Sequence, residues 1–222
     1  MISSNRPFAS NLNIALGDHE ISLNDENKFL GLVIDKKVNF ESHIRTVCRK
    51  VSRSIGILYK LKEFVPQKVL VNIYYSLVYP YLLYGNLVWG GSFHSHLQPL
   101  FLLQKRAVRI IKNTTFLAHT DPIFSDLQIL KLEDIHKFLA SQYIFKHRNS
   151  FRQTSEIHSY NTRQLNDLAP DFQRLTISQN SIFYFGPLFW NSLPNSITEC
   201  NDFIMFKRLV RSFLIDKYQR TQ

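Results

Sequence analysis

Residues 28–40 read KFLGLVIDKKVNF. An apolar run, Phe29 to Ile34, breaks at the charged turn Asp35 to Lys37, and the spacing of apolar residues then changes from a strand to a helical period. The run has little polar alternation, which predicts a strand buried on both faces. Asn39 is placed to cap the helix that follows. Upstream, LNIAL (12–16) and EISL (20–23) flank GDHE and predict a short hairpin. So few strands make no full sheet, which raises the question of what sheet the strand at 28–34 belongs to.

Downstream the pattern is helical. Phe40, Ile44, Val47, Val51, Ile55, Leu58 and Leu61 recur at spacings of three and four until Phe64 and Pro66. A second helix is predicted over 67–79, stopped by Pro80, and a third over 96–112. A fourth starts at Asp121 and Pro122, and a fifth covers 133–147. Residues 149–180 are polar and poorly periodic and are expected to form a long connection. Order returns with SIFYFGPLFWNSLP (181–194) and a helix over 202–218. The predicted fold is mainly α with a small N-terminal β element, divided as 1–38, 39–148, 149–180 and a C-terminal α and irregular segment, 181–222.

The composition, 45% hydrophobic and 14% aromatic over 222 residues, suffices for a packed core and excludes a disordered tail. A net charge of +10 favours a polyanionic partner, nucleic acid or an acidic membrane face. Cys48 and Cys200 stand far apart with no metal-ligand spacing, which points to a reducing compartment. The first residues, MISSNRPFASN, lack the apolar run of a signal peptide, so secretion is not expected. Residues 69–104 contain no Lys, Arg, Asp or Glu, and a membrane span needs about 20 apolar residues. Asn72, Pro80, Gly85, Asn86, Gly90 and Gly91 interrupt that run, so buried segments are the preferred reading and membrane association through 69–89 the alternative.

The first helix carries the sharpest chemical signal. At about 100° per residue, Arg45, Arg49, Arg53 and Lys60 fall within a sector of about 80°, roughly opposite Ile44, Val47, Cys48, Val51, Ile55 and Leu58. Solvated helix faces commonly carry Lys and Arg. Between Lys36 and Lys62, however, only Glu41 offsets eight basic residues, which favours contact with phosphates along a nucleic-acid backbone. Lys105, Arg106, Arg109 and Lys112 repeat the theme on the third helix, away from Leu100, Ala107 and Ile111. There is no Gly-rich phosphate loop, serine elbow, HExxH or paired-carboxylate motif. FHSH (93–96) offers too few ligands for zinc, and the acids of EDIH (133–136) are explained by the helix dipole. Trp89 and Trp190 are expected in the core.

The segment KFLGLVIDKKVNFESHI (28–44) resembles the stretch that closes the palm and opens the thumb in reverse transcriptases of non-LTR retrotransposons, of the jockey and CR1 kind. The similarity continues in order through LVYPYLLYGNLVWGG (77–91), LLQKRAVRII (102–111), HTDPIFSDLQILKLEDI (119–135), HSYNTRQ (158–164), GPLFWNSLPNSI (186–197) and FKRLVRSFL (206–214). The resemblance implies a palm-sheet remnant over 1–38 and a helical thumb-like bundle over 39–148. Phe29, Leu30 and Gly31 would lie near the primer terminus. Lys36, Lys37, Arg45, Arg49, Arg53, Lys60, Lys105 and Arg109 would hold an RNA/DNA hybrid or other nucleic acid. The family's Tyr-x-Asp-Asp motif is absent, so the chain is expected to be a gene fragment or truncated copy, inactive as a polymerase alone. The complete family enzyme uses magnesium, and none is expected on this chain; a palm domain in trans is a further implied partner. The expected location is intracellular, nucleus or cytoplasm. The alternative is an inert or protein-interacting helical domain.

Overall fold

The computed structural model describes residues 24–157 and 167–219 and, upstream, the backbone of 14–16 and 19–21. The turn at 17–18 and the segment HSYNTRQ lie outside the described residues. Strands β1 (Ile14–Leu16) and β2 (His19–Ile21) pair antiparallel, Ile14 opposite Ile21, as the first hairpin requires. The predicted strand at 28–34 is corrected. It is a second hairpin, in which β3 (Glu26–Phe29) pairs antiparallel with β4 (Leu32–Asp35), Phe29 opposite Leu32. Leu30 and Gly31 make the two-residue turn with φ of 46° and 81°, the positive pair that matches the twist of tight hairpins. Burial on both faces is corrected too: β3 is exposed throughout and β4 is half-buried against the first helix. The unbroken apolar run misled because its middle residues occupy the turn.

The helices follow the apolar periodicity closely. They are α1 (Glu41–Leu61), α2 (Gln67–Leu77), α3 (Tyr79–Leu83), α4 (Asn86–Trp89), α5 (His94–Lys112), α6 (Asp121–Asp126) and α7 (Leu132–Lys146). Among its described residues the polar connection holds the single turns α8 (Thr154–Ile157) and α9 (Thr176–Gln179). After it come α10 (Ile182–Asn191), α11 (Asn195–Thr198) and α12 (Phe203–Asp216), the last capped by the Asp202 carboxylate on the amides of Ile204 and Met205. Around Pro80 and Gly85 the uncharged run becomes three short helices, and no helix among the described residues is long and apolar enough to cross a membrane.

α1 lays Ile44, Val47, Val51, Ile55 and Leu58 against α5, whose Leu100, Ala107, Val108 and Ile111 are also buried. α7 is the central post, packed by α4, α10 and α12. Phe206 of α12 sits 5.5 Å from the Trp190 ring and 4.5 Å from Phe145, so the C-terminal helices share one core with α1–α7. Trp89 and Trp190 are both buried, as expected.

Three polar locks fix this packing. The fully buried Gln104 amide donates to the Tyr74 hydroxyl (2.9 Å) and to Leu130 O (2.8 Å), and its carbonyl accepts from Leu132 N (2.8 Å). One side chain thereby joins α2, α5 and the start of α7. The acids of EDIH do more than complement the helix dipole: Asp134 accepts from the Tyr218 hydroxyl at 2.6 Å, and that oxygen accepts from Lys131 N at 3.0 Å. Burial, and then the Asp134 carboxylate, drive the Tyr218 phenol far up. Finally, His136 Nδ1 faces only acceptors, Asn86 O at 3.2 Å and Asn86 Oδ1 at 3.1 Å, so it carries the proton of a neutral ring. A Cβ on Gly90 would come within 2.7 Å of that nitrogen, so α4 reaches α7 only through a glycine.

Two outcomes test these locks. Gln104→Leu strands three buried polar groups and is expected to cost about 3–5 kcal/mol, read as a fall in the urea midpoint without a change in m. Burial lowers the His136 pKa to about 4 from 6.5. The folded state therefore disfavours the imidazolium: the stability tied to this ring is full above pH 6.5 and is lost as pH falls toward 4, by about 3 kcal/mol. Stability measured at pH 7 and pH 4.5 should diverge less in His136→Gln than in the parent.

Candidate nucleic-acid interface

The passage from hairpin to helix is held by short polar contacts. Asp35 Oδ1 accepts from the amides of Lys37 (3.0 Å) and Asn39 (3.1 Å), and Lys36 N donates to Asp25 O at 2.9 Å. The helix starts one residue later than Asn39 predicts, with Phe40 in the left-handed region, yet Asn39 Oδ1 still accepts from Glu41 N at 3.1 Å. The turn leaves Lys36 and Lys37 exposed, Lys36 Nζ lying 3.9 Å from an Asp25 carboxylate oxygen.

On α1 the structure exposes Arg45, Arg49, Arg53 and Lys60 while Ile44, Val47, Val51, Ile55 and Leu58 are buried. Arg45 pairs with Glu41 one turn earlier and Arg49 donates to Thr46 Oγ1 at 3.1 Å. Among the described residues Arg53 and Lys60 form no ion pair. Arg45, Arg49 and Arg53, one turn apart, with Lys60 two turns further along, have the spacing to follow phosphates along one strand.

The cations of α5 are employed differently. Arg109 Nε donates to Ala118 O at 2.9 Å and its guanidinium lies over the Phe116 ring, so it pins the loop after the helix. Lys105 Nζ rests 4.6 Å from the Phe101 ring centroid, and Lys112 pairs with Asp126 at 2.6 Å. Of this group Arg106 is exposed.

Phe29 ends β3, and Leu30 and Gly31 form the hairpin tip. The tip is fastened to α3 and α4 by the Tyr84 hydroxyl, which donates to Leu30 O. Between hairpin, α1 and α3 runs an open groove of about 600 Å³ whose walls include Lys28, His43, Lys50, Tyr81 and Tyr84. Lys50 Nζ stands 5.5 Å from the Tyr81 ring centroid. At about 100° per residue Lys50 lies about 60° beyond Arg53, so it widens the cationic face toward the groove. His43 accepts from Val33 N through Nδ1 at 3.3 Å, and burial, then the Lys50 ammonium, hold it below the ordinary imidazole range. Lys28, Lys50, Tyr81 and Tyr84 are missed by sequence reasoning. The signal for Lys50 was its place beside an almost acid-free stripe; the tyrosines sat in a run read as buried. Among the described residues no group of three or more His, Cys, Asp or Glu is placed to hold a metal ion.

The chain is 30% identical over 136 residues to the RNA-directed DNA polymerase from mobile element jockey of Drosophila melanogaster, a match of 59% of this chain and 15% of that protein. It is 29% identical over 130 residues to the jockey polymerase of Drosophila funebris, covering 55% and 14%. With the probable RNA-directed DNA polymerase from transposon X-element of Drosophila melanogaster it shares 23% identity over 151 residues, 64% and 17%. The chain thus spans about one sixth of the length of these curated relatives. No protein-family model and no solved structure matches it.

Tyr84→Phe removes the clasp on the hairpin tip. It is expected to cost about 1 kcal/mol and to speed amide hydrogen exchange over residues 26–35 while leaving α7 protected. Over more than half of its length, then, the chain is similar to RNA-directed DNA polymerases of jockey and other non-LTR mobile elements.

Proposed function

We propose that this chain holds nucleic acid, an RNA/DNA hybrid or a related duplex, by its sugar-phosphate backbone, as the thumb-side part of an RNA-directed DNA polymerase. The observation that carries the reading is the exposed row Arg45, Arg49, Arg53 and Lys60, set opposite a buried apolar face on the same helix. Lys36 and Lys37 extend it at the N-terminal end and Lys50 on the groove side. Lys105 and Arg109, committed to Phe101 and to the loop after α5, act by shaping the neighbouring surface. In the complete polymerase, magnesium ions and palm carboxylates would supply the phosphoryl-transfer chemistry. This chain's own residues bind and orient, and a palm supplied in trans would be its catalytic partner. The two free cysteines accord with an intracellular, reducing setting.

Binding of the purified chain to an RNA/DNA hybrid is expected to weaken steeply with salt. Replacing Arg45, Arg49 and Arg53 together with alanine should lower the slope of log K against log salt by about 2–3. Equal and weak binding by both proteins would favour an inert or protein-interacting helical domain.

A further inference from the structure

On the α5 side of the stripe lies a second opening, a cleft of about 650 Å³ where Glu41, Arg45, Cys48 and Arg49 of α1 face Ser95 and His96 of α5. Its contents are unusual for a surface groove. An acid already sits among the cations: Glu41 Oε1 accepts from the Arg45 guanidinium at 2.5 Å, and its other oxygen is 3.9 Å from His96 Nε2. The opposite ring nitrogen, His96 Nδ1, is buried and has no hydrogen-bond partner. The histidine ring is steadied by the edge of Phe93, with centroids 5.6 Å apart. Burial raises the Cys48 thiol pKa, which keeps that group neutral and adds no second anion to the cleft.

A carboxylate and a phosphate present similar oxygen pairs to a guanidinium, and the phosphate brings more charge and a further acceptor. Glu41 is also the lone acid between Lys36 and Lys62, so it is the one countercharge in that stretch. We propose that this cleft is a phosphate site in which Glu41 occupies the anion's place, and that Arg45, Arg49 and His96 take up a backbone phosphate when that carboxylate swings aside. The inference rests on the nucleic-acid reading above and adds to it a named competitor, Glu41, and a ligand from the second helix, His96. Glu41 would then set the threshold for binding: the cleft rejects weak anions and yields to a polyanion held by the rest of the stripe.

The test uses the full chain with two probes. Inorganic phosphate is titrated while the His96 ring resonances, assigned by their loss in His96→Gln, are followed by NMR. Saturable movement is expected, tightened about three- to tenfold in Glu41→Gln and absent in the Arg45→Ala, Arg49→Ala double variant. In parallel, hybrid affinity is compared between Glu41→Gln and Glu63→Gln, which removes an acid just past the other end of α1. A larger gain for Glu41→Gln, diminished when His96→Gln is added, supports the cleft. Equal gains from the two substitutions would reduce the effect to net charge and overturn the proposal, as would His96 resonances indifferent to phosphate. A chain that takes phosphate at His96 and binds no hybrid would support the anion site while overturning the nucleic-acid reading.

Discussion

The burial of one amide, that of Gln104, organises this molecule. Its three hydrogen bonds reach the Tyr74 hydroxyl, the carbonyl of Leu130 and the amide of Leu132, so α2, α5 and the beginning of α7 are brought to fixed positions. A buried primary amide with its partners in place costs little; the same group with a partner missing costs a large share of a domain's net stability. The register of α5 against α7 is therefore selected by polar pairing and filled in by the apolar contacts of Leu100, Ala107 and Ile111. Since α1 rests on α5, the direction in which α1 presents its arginines follows from the same lock.

Around α1 the chemistry is ordered by angle. The buried face is apolar, the outward face cationic, and at either edge a concavity opens, one toward α5 with Glu41 and His96, the other toward the hairpin with Lys50 and Tyr81. A flat row of arginines on a helix would hold a polyanion without fixing its position. On the nucleic-acid reading proposed above, flanking walls, one bearing a histidine and the other tyrosines, would confine it laterally, so that phosphate contacts set orientation as well as affinity.

Much of this was legible in the sequence, for a definite reason. Helices of this length repeat their apolar residues often enough for the period to emerge, and α1, α2, α5 and α7 fall within about two residues of the expected limits. The hairpin at Leu30 and Gly31 was not legible, because a leucine at positive φ carries no turn signature and is held there by tertiary contact, the Tyr84 hydroxyl among them. The same holds for Asp134, whose partner Tyr218 is 84 residues away, and for Arg109, whose guanidinium is spent on a loop carbonyl. Periodicity reports which face of a helix is buried; it is silent on which exposed charge is already engaged.

The long reach of these engagements governs how the chain comes to be folded. Arg211 of α12 donates to the Tyr75 hydroxyl across 136 residues of sequence and to Gln128 O across 83, while Tyr218 closes on Asp134. Contacts of such separation form late, after the entropy of closing large loops has been overcome. During synthesis α1–α7 must wait on the ribosome with Phe145 and the α6–α7 corner uncovered until α12 emerges. A helix that follows the long polar connection is thus the one that completes the core begun by α1–α7.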